Sequence, residues 1–217
     1  MPENNQPKIN YQKKLDGILK EIGNGKREKP TLLLHACCAP CSSYVLEYLH
    51  SYFRILLFYY NPNISPEPEY IKRVGELRRF VEEAGYEQEI TFIEGPYDPE
   101  RFFAMSRGME DLPERGERCY HCYELRMRES AAEAVKHQAD YFATTLSISP
   151  HKNADWINEI GERLAREYGV AHLPSDFKKK SGYLRSIELS RKYDLYRQDY
   201  CGCVFSKAAA DGRIRSS

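Results

Sequence analysis

No stretch of this sequence approaches the roughly 18 consecutive apolar residues that a membrane-spanning helix requires, and the opening residues MPENNQPKINYQKK hold no apolar leader. Membrane insertion and export are therefore not expected, and the chain reads as cytoplasmic. Net charge is lacking as well. The 32 Lys and Arg balance 32 Asp and Glu, so no global field draws in a polyanion. Internal repeats, low-complexity linkers and the glycine fingerprints of flavin or nicotinamide sites are all missing. With 217 residues, one domain over 1–217 is expected, with weakly ordered ends near 1–8 and 208–217.

What the chain does have is cysteine. There are seven, an odd number, clumped as CCAPC (Cys37, Cys38, Cys41), CYHC (Cys119, Cys122) and CGC (Cys201, Cys203). A reducing cytoplasm disfavours structural disulfides, so the clumping points to metal binding or thiol chemistry. Around these clusters apolar runs alternate with helix-period segments. TLLLHA (31–36), FRILLFYY (53–60), QEITFIEG (88–95) and DYFATTLSIS (140–149) read as strands, with a short fifth in AHLPSDF. PCSSYVLEYLHS, 69–85, 119–138, 153–169 and 182–194 read as the main helices. The expected fold is α/β, a Rossmann-like parallel sheet with helices on both faces. Ligands of such sheets sit beyond the strand C-termini at the topological switch point, and CCAPC falls at the end of the first strand.

Three chemistries compete for the cysteines. CAPC after a strand and opening a helix fits a thiol–disulfide pair of Cys38 and Cys41, but that enzyme needs two cysteines and leaves five unused. A zinc site, in an RNA-binding protein without catalysis, could use CYHC as a knuckle. Adjacent Cys37–Cys38 and the single-residue spacer of CGC do not match the usual ribbon. An iron–sulfur cluster takes four thiolates from separate loops as readily as from one, and three further thiols would suit a second centre. All seven are thus candidate metal ligands, and their division between two centres is open at this level.

Taken together, HACCAPCSS, FYYNPNISPEPEYIKR, ERGERCYHCYELRM, ATTLSISPHKN and DFKKKSGYLRSIELSRKYDLYRQDYCGC resemble epoxyqueuosine reductases of the QueH type, in order from about residue 30 to 206. The joint occurrence of CCxxC, ERCxxCYxLR and YRQxYCGC carries the resemblance. It implies a fold like that of the adenine nucleotide α-hydrolase (HUP) group, with ACCAPCSS where relatives carry a Gly/Ser-rich phosphate loop, so ATP use is not expected. It further implies removal of the epoxide oxygen of epoxyqueuosine at the tRNA wobble position, the last step of queuosine synthesis. The implied cofactors are a 4Fe-4S cluster and a second metal ion, expected to be iron. The implied partners are tRNA carrying epoxyqueuosine and an external low-potential electron donor.

Deoxygenating an epoxide also needs protons. Candidate acids are His35, beside the cysteine loop, Asp98 and Asp176; the bland alternatives are a satisfied strand histidine and helix caps. Basic residues outnumber acidic ones from Asp176 onward. Lys178, Lys179, Lys180, Arg185 and Arg197 are therefore candidate phosphate contacts, and His151 a substrate contact. Tyr59, Tyr60 and Tyr200 are candidate stacking platforms for a splayed base, although one of the adjacent pair Tyr59 and Tyr60 should belong to the core.

Overall fold

The computed structural model describes residues 9–25 and 28–215. Five short apolar runs form one sheet: β1 (Thr31–His35), β2 (Arg54–Tyr59), β3 (Ile90–Glu94), β4 (Tyr141–Thr144) and β5 (Ala171–His172). They lie in the order β3-β2-β1-β4-β5, every pair parallel. Parallel neighbours require crossover connections, which these helices supply. In chain order the helices are α1 (Tyr11–Asn24), α2 (Ala39–Leu49), α3 (Glu67–Glu83), α4 (Pro99–Ser106), α5 (Glu117–Lys136), α6 (Ala154–Tyr168), α7 (Gly182–Lys192) and α8 (Val204–Arg215).

The central strands β1, β2 and β4 are mostly apolar because both faces of the sheet are covered there. Successive side chains point to opposite sides. Leu32, Leu34, Ile55, Leu57 and Tyr59 pack into one core with residues of α1, α2 and α3, such as Leu15, Leu46 and Leu77. Leu33, Phe58, Tyr60 and Phe142 pack into the other with residues of α5 and α6, such as Met127 and Ile160. The expected α/β architecture is the one observed, and the sheet order reverses between β1 and β4. Loops leaving the C-terminal ends of those two strands therefore flank a crevice.

Three local differences have physical causes. The run expected as one strand over 140–149 ends at Thr144, whose Oγ1 accepts the Leu146 amide and opens a 3-10 turn over Thr145–Ile148. Helix α1 is not among the expected helices, although its sequence carries the signal: the Asn10 side chain accepts the Lys13 amide at its start, and Tyr11, Leu15 and Leu19 make its buried stripe. Of the ends expected to be weakly ordered, 208–215 belong to α8, while 1–8 and 216–217 lie outside the described residues. Among the described residues no helix is long and apolar enough to cross a membrane.

Candidate metal centre and adjoining cleft

The first cysteine group is built where β1 stops. Ala36 is held on both sides: its N–H donates to Phe58 O at 2.8 Å, and its carbonyl accepts Asn61 Nδ2 at 2.9 Å. The chain then turns into α2, with Cys38 as its N-cap residue and Pro40 in the first turn, where a missing N–H costs nothing. This turn brings the sulfurs of Cys37, Cys38 and Cys41 within 4.8 Å of one another. Thr145, just past β4, accepts the Cys37 amide at 3.2 Å and donates its hydroxyl to Cys37 Sγ at 3.4 Å. Hydrogen bonds from the Cys37 and Cys41 thiols push the Cys38 pKa well down, and those two thiols are pushed up in turn.

The other four cysteines come from two distant segments. Cys119 and Cys122 lie in the first turns of α5, and the Arg115 amide donates to Cys119 Sγ at 3.3 Å. Cys201 and Cys203 flank Gly202, whose φ of +122° is a conformation that side chains disfavour. A Cβ there would also stand 2.9 Å from Ile64 Cγ1 and 3.0 Å from Arg73 Nη1. The glycine of CGC is therefore required by the backbone and by the close approach. Arg73 Nη1 donates to Cys201 O at 3.1 Å, and the Ser65 amide to Gly202 O at 2.9 Å. Cys203 precedes α8, and its sulfur accepts the Ser206 amide at 3.4 Å. All three cysteine groups therefore stand at helix N-termini, where exposed N–H groups favour anionic sulfur.

Two neighbouring hollows result. Cys37, Cys38 and Cys41 border a cleft of about 340 Å³. Cys119, Cys122, Cys201 and Cys203 line a smaller cavity together with Asn63 and Tyr123. Glu114, Arg126, Lys152 and Cys201 belong to both. Burial raises the thiols of Cys119 and Cys122, the latter to about 11. At Cys201 burial acts in the same sense, but the positive charges of Lys152 and Arg126 outweigh it and the pKa falls. Lys152 Nζ donates to Cys201 Sγ at 2.9 Å.

The donor set fits an anionic, thiolate-bound metal group. Arg126 is 2% exposed, with Nε on Cys122 O and Nη1 on Asn61 Oδ1. Its Nη2 has no partner among the described residues, and neither does Nη2 of the equally buried Arg73. The unpartnered Arg126 nitrogen, on a side chain lining the cavity of four thiols, is a cost that a negatively charged occupant removes.

The other residues singled out in the sequence divide sharply. His151 and Arg197 line the cleft, as does Tyr200. Arg115 Nη2 donates to His151 Nδ1 at 2.6 Å, which leaves the proton of a neutral His151 ring on Nε2. Tyr59 and Tyr60 are not stacking platforms. β2 is covered on both faces, so each ring is fully buried, Tyr59 against Tyr70 and Tyr60 stacked on Phe58. His35 is the satisfied core histidine: Nδ1 meets Thr144 Oγ1 at 2.8 Å and Nε2 meets Tyr60 O at 2.9 Å. Since a carbonyl only accepts, Nε2 carries the proton. Asp98 is the N-cap residue of α4 and Asp176 pairs with Lys178 at 2.6 Å; neither lines the cleft or the cavity. The basic run is also largely engaged elsewhere. Lys180 pairs with Asp16, and Arg185 with Glu47 and Glu188, while Lys179 is exposed away from the cleft lining. Conversely Glu114, Arg115, Arg126 and Lys152 border the site; they lie within ERGERCYHCYELRM and ATTLSISPHKN, yet they are not among the expected site residues.

Comparison with known proteins agrees with this geometry. The family model described as "Epoxyqueuosine reductase QueH" matches residues 32–209, a span holding all seven cysteines. The chain is 45% identical over 205 residues to the epoxyqueuosine reductase QueH of Staphylococcus aureus (strain Mu50), covering 92% of this chain and 84% of that one. It is 42% identical to the Streptococcus pyogenes serotype M1 protein of the same name, covering 94% and 80%. With the Thermotoga maritima protein, also so named, identity is 35% over 81% of this chain and 90% of that one. With the cysteines gathered at the switch point and the match running through every cysteine motif, the chain belongs to the QueH family.

Proposed function

We propose that this chain is an epoxyqueuosine reductase acting in the cytoplasm on tRNA, and that it removes the epoxide oxygen of epoxyqueuosine to give queuosine. One observation carries the site assignment: the cleft bordered by Cys37, Cys38 and Cys41 shares a wall, Cys201 included, with a cavity lined by the other four thiols. In this reading Cys119, Cys122, Cys201 and Cys203 would hold a 4Fe-4S cluster, and Cys37, Cys38 and Cys41 a second metal ion, iron. Those groups, when bound, supply electrons and a Lewis acid, replenished by an external low-potential donor.

The protein's own residues do the remainder. Deoxygenation breaks both C–O bonds and forms a C=C bond. It consumes two electrons and two protons, and the oxygen leaves as water. The protons come from solvent, and the carboxylates of Glu114 and Asp199 at the cleft border can relay them. The Nε2–H of His151, a ring that Arg115 orients, can hydrogen-bond the departing oxygen. Tyr183 and Tyr200 offer ring faces to the modified base. Arg115 and Arg197, both exposed at the cleft, meet the phosphates beside it. An anticodon loop is single-stranded, so stacking with a few phosphate contacts suits a chain of zero net charge.

The test is conversion of epoxyqueuosine-containing tRNA by anaerobically reconstituted protein and a chemical reductant, with nucleosides identified by mass spectrometry. Queuosine should appear only with reductant and only in iron- and sulfide-loaded protein. Failure under every reducing condition sinks the activity, and a colourless protein with one tight zinc sinks the iron–sulfur assignment.

A further inference from the structure

Among the described residues, Lys152 is the one charged side chain that donates a hydrogen bond to a cysteine sulfur, 2.9 Å from Nζ to Cys201 Sγ. The other donors to sulfur are uncharged, among them the Cys37 thiol at Cys38, the Thr145 hydroxyl at Cys37 and the backbone amides of Arg115 and Ser206 at Cys119 and Cys203. Arg126, the second cation of the shared wall, directs its bonded nitrogens to Cys122 O and Asn61 Oδ1, not to sulfur. Lys152 is held in place from its backbone, whose amide donates to Ser149 O at 3.1 Å, next to the Asn153 cap of α6. Its Nζ also stands 5.6 Å from the centre of the buried Tyr123 ring.

A fixed positive charge and a hydrogen bond on a ligand sulfur act in one direction. Adding an electron to a thiolate-bound centre makes it more negative, and both features stabilise that form more than the oxidised one. We propose that Lys152 is a positioning residue that raises the reduction potential of the centre held by Cys201, so that this centre accepts electrons from a donor too weak to reduce it otherwise. The proposal rests on the iron–sulfur reading above and goes beyond it by naming the residue that tunes that centre. Lysine suits the task because its ammonium is a compact charge on a flexible stem.

The experiment compares loaded wild-type protein with Lys152→Met, Lys152→Gln and Lys152→Arg. Iron and sulfide content, the midpoint potential from an anaerobic dithionite titration, and conversion with a weak and a strong reductant are measured. Lys152→Met and Lys152→Gln should keep iron and sulfide while the midpoint moves to more negative values; Lys152→Arg should stay near wild type. With the weak reductant Lys152→Met should lose about 10-fold or more in rate, and the strong reductant should restore most of it. Full loading with an unmoved midpoint in both neutral variants overturns the role of Lys152. So does a loss of rate that no reductant restores, or an arginine variant that shifts as far as the methionine one. If Lys152→Met fails to load, the midpoint of the glutamine variant decides the matter. A wild-type chain that takes up no iron and sulfide overturns the iron–sulfur reading itself, a separate result.

Discussion

The two cysteine groups are made in opposite ways. Cys37, Cys38 and Cys41 come from one turn, and their mutual approach needs little beyond the end of β1 and the start of α2. Cys119, Cys122, Cys201 and Cys203 come from two segments that only the folded chain brings together, through the bonds from Arg73 and Ser65 to the CGC backbone. Their charge balance differs as well. In the trio, hydrogen bonds from the Cys37 and Cys41 thiols lower the Cys38 pKa. The four-cysteine cavity relies on imported cations, Lys152 and Arg126. A local group can form early and cheaply, whereas an assembled one depends on every element that positions it.

That contrast can be broken most forcefully at the wall common to both hollows. Cys201→Ala is expected to cut conversion more than about 100-fold and to lower iron and sulfide together. Cys41→Ala is expected to lower iron and leave sulfide near the wild-type level; equal sulfide losses in the two variants would erase the distinction. Gly202→Ala comes next. Its Cβ meets Ile64 and Arg73 at a positive φ, and the expected cost is about 1–3 kcal/mol in urea unfolding. Sulfide should be lost before iron, and a variant as stable as wild type would show that the CGC turn is not strained by a side chain.

Gly161→Ala sharpens the comparison from outside. The new methyl would lie 2.3 Å from the His172 ring, near the β5 edge of the sheet. A loss of about 1–3 kcal/mol is expected, with the iron-to-sulfide ratio unchanged. A selective loss of either would tie that edge to one of the groups.

Acid supplies the mildest probe. Burial depresses the His172 pKa from 6.5 to about 3, and both ring nitrogens lack partners among the described residues. The folded state therefore holds the ring neutral while the unfolded chain protonates it. This contribution to stability is complete above about pH 6.5 and falls by about 1.4 kcal/mol per unit as pH drops toward 3. Urea titrations at pH 7 and pH 5 should show a smaller acid loss in His172→Leu than in wild type; identical losses would place the acid sensitivity elsewhere.

Much of this was legible in the sequence. Alternating apolar runs and helix-period segments carry β1–β4 and most of the helices, because two-sided burial writes itself as continuous apolar strands. The clumping of cysteines marked the site. Pairing in space did not show. A run such as KKK advertises phosphate binding, but Lys178 pairs with Asp176 in its own turn and Lys180 with Asp16 across the fold. Tyr59 and Tyr60 looked divided between core and surface, yet a sheet covered on both sides leaves no surface for either. Lys152 and Arg126 lie within the motifs SPHKN and ERCYHCYELR, but nothing local distinguishes a solvated cation from one folded into the wall of the site.

The CGC turn has a consequence for the chain's thermodynamics. Cys119 and Cys122 meet Cys201 and Cys203 only when β1, α3 and α5 are in place, so the unfolded chain offers no comparable set of four donors. A ligand that binds the native state alone stabilises it by mass action. Melting temperature should then rise with metal loading, and release of the bound metal becomes a direct meter of unfolding.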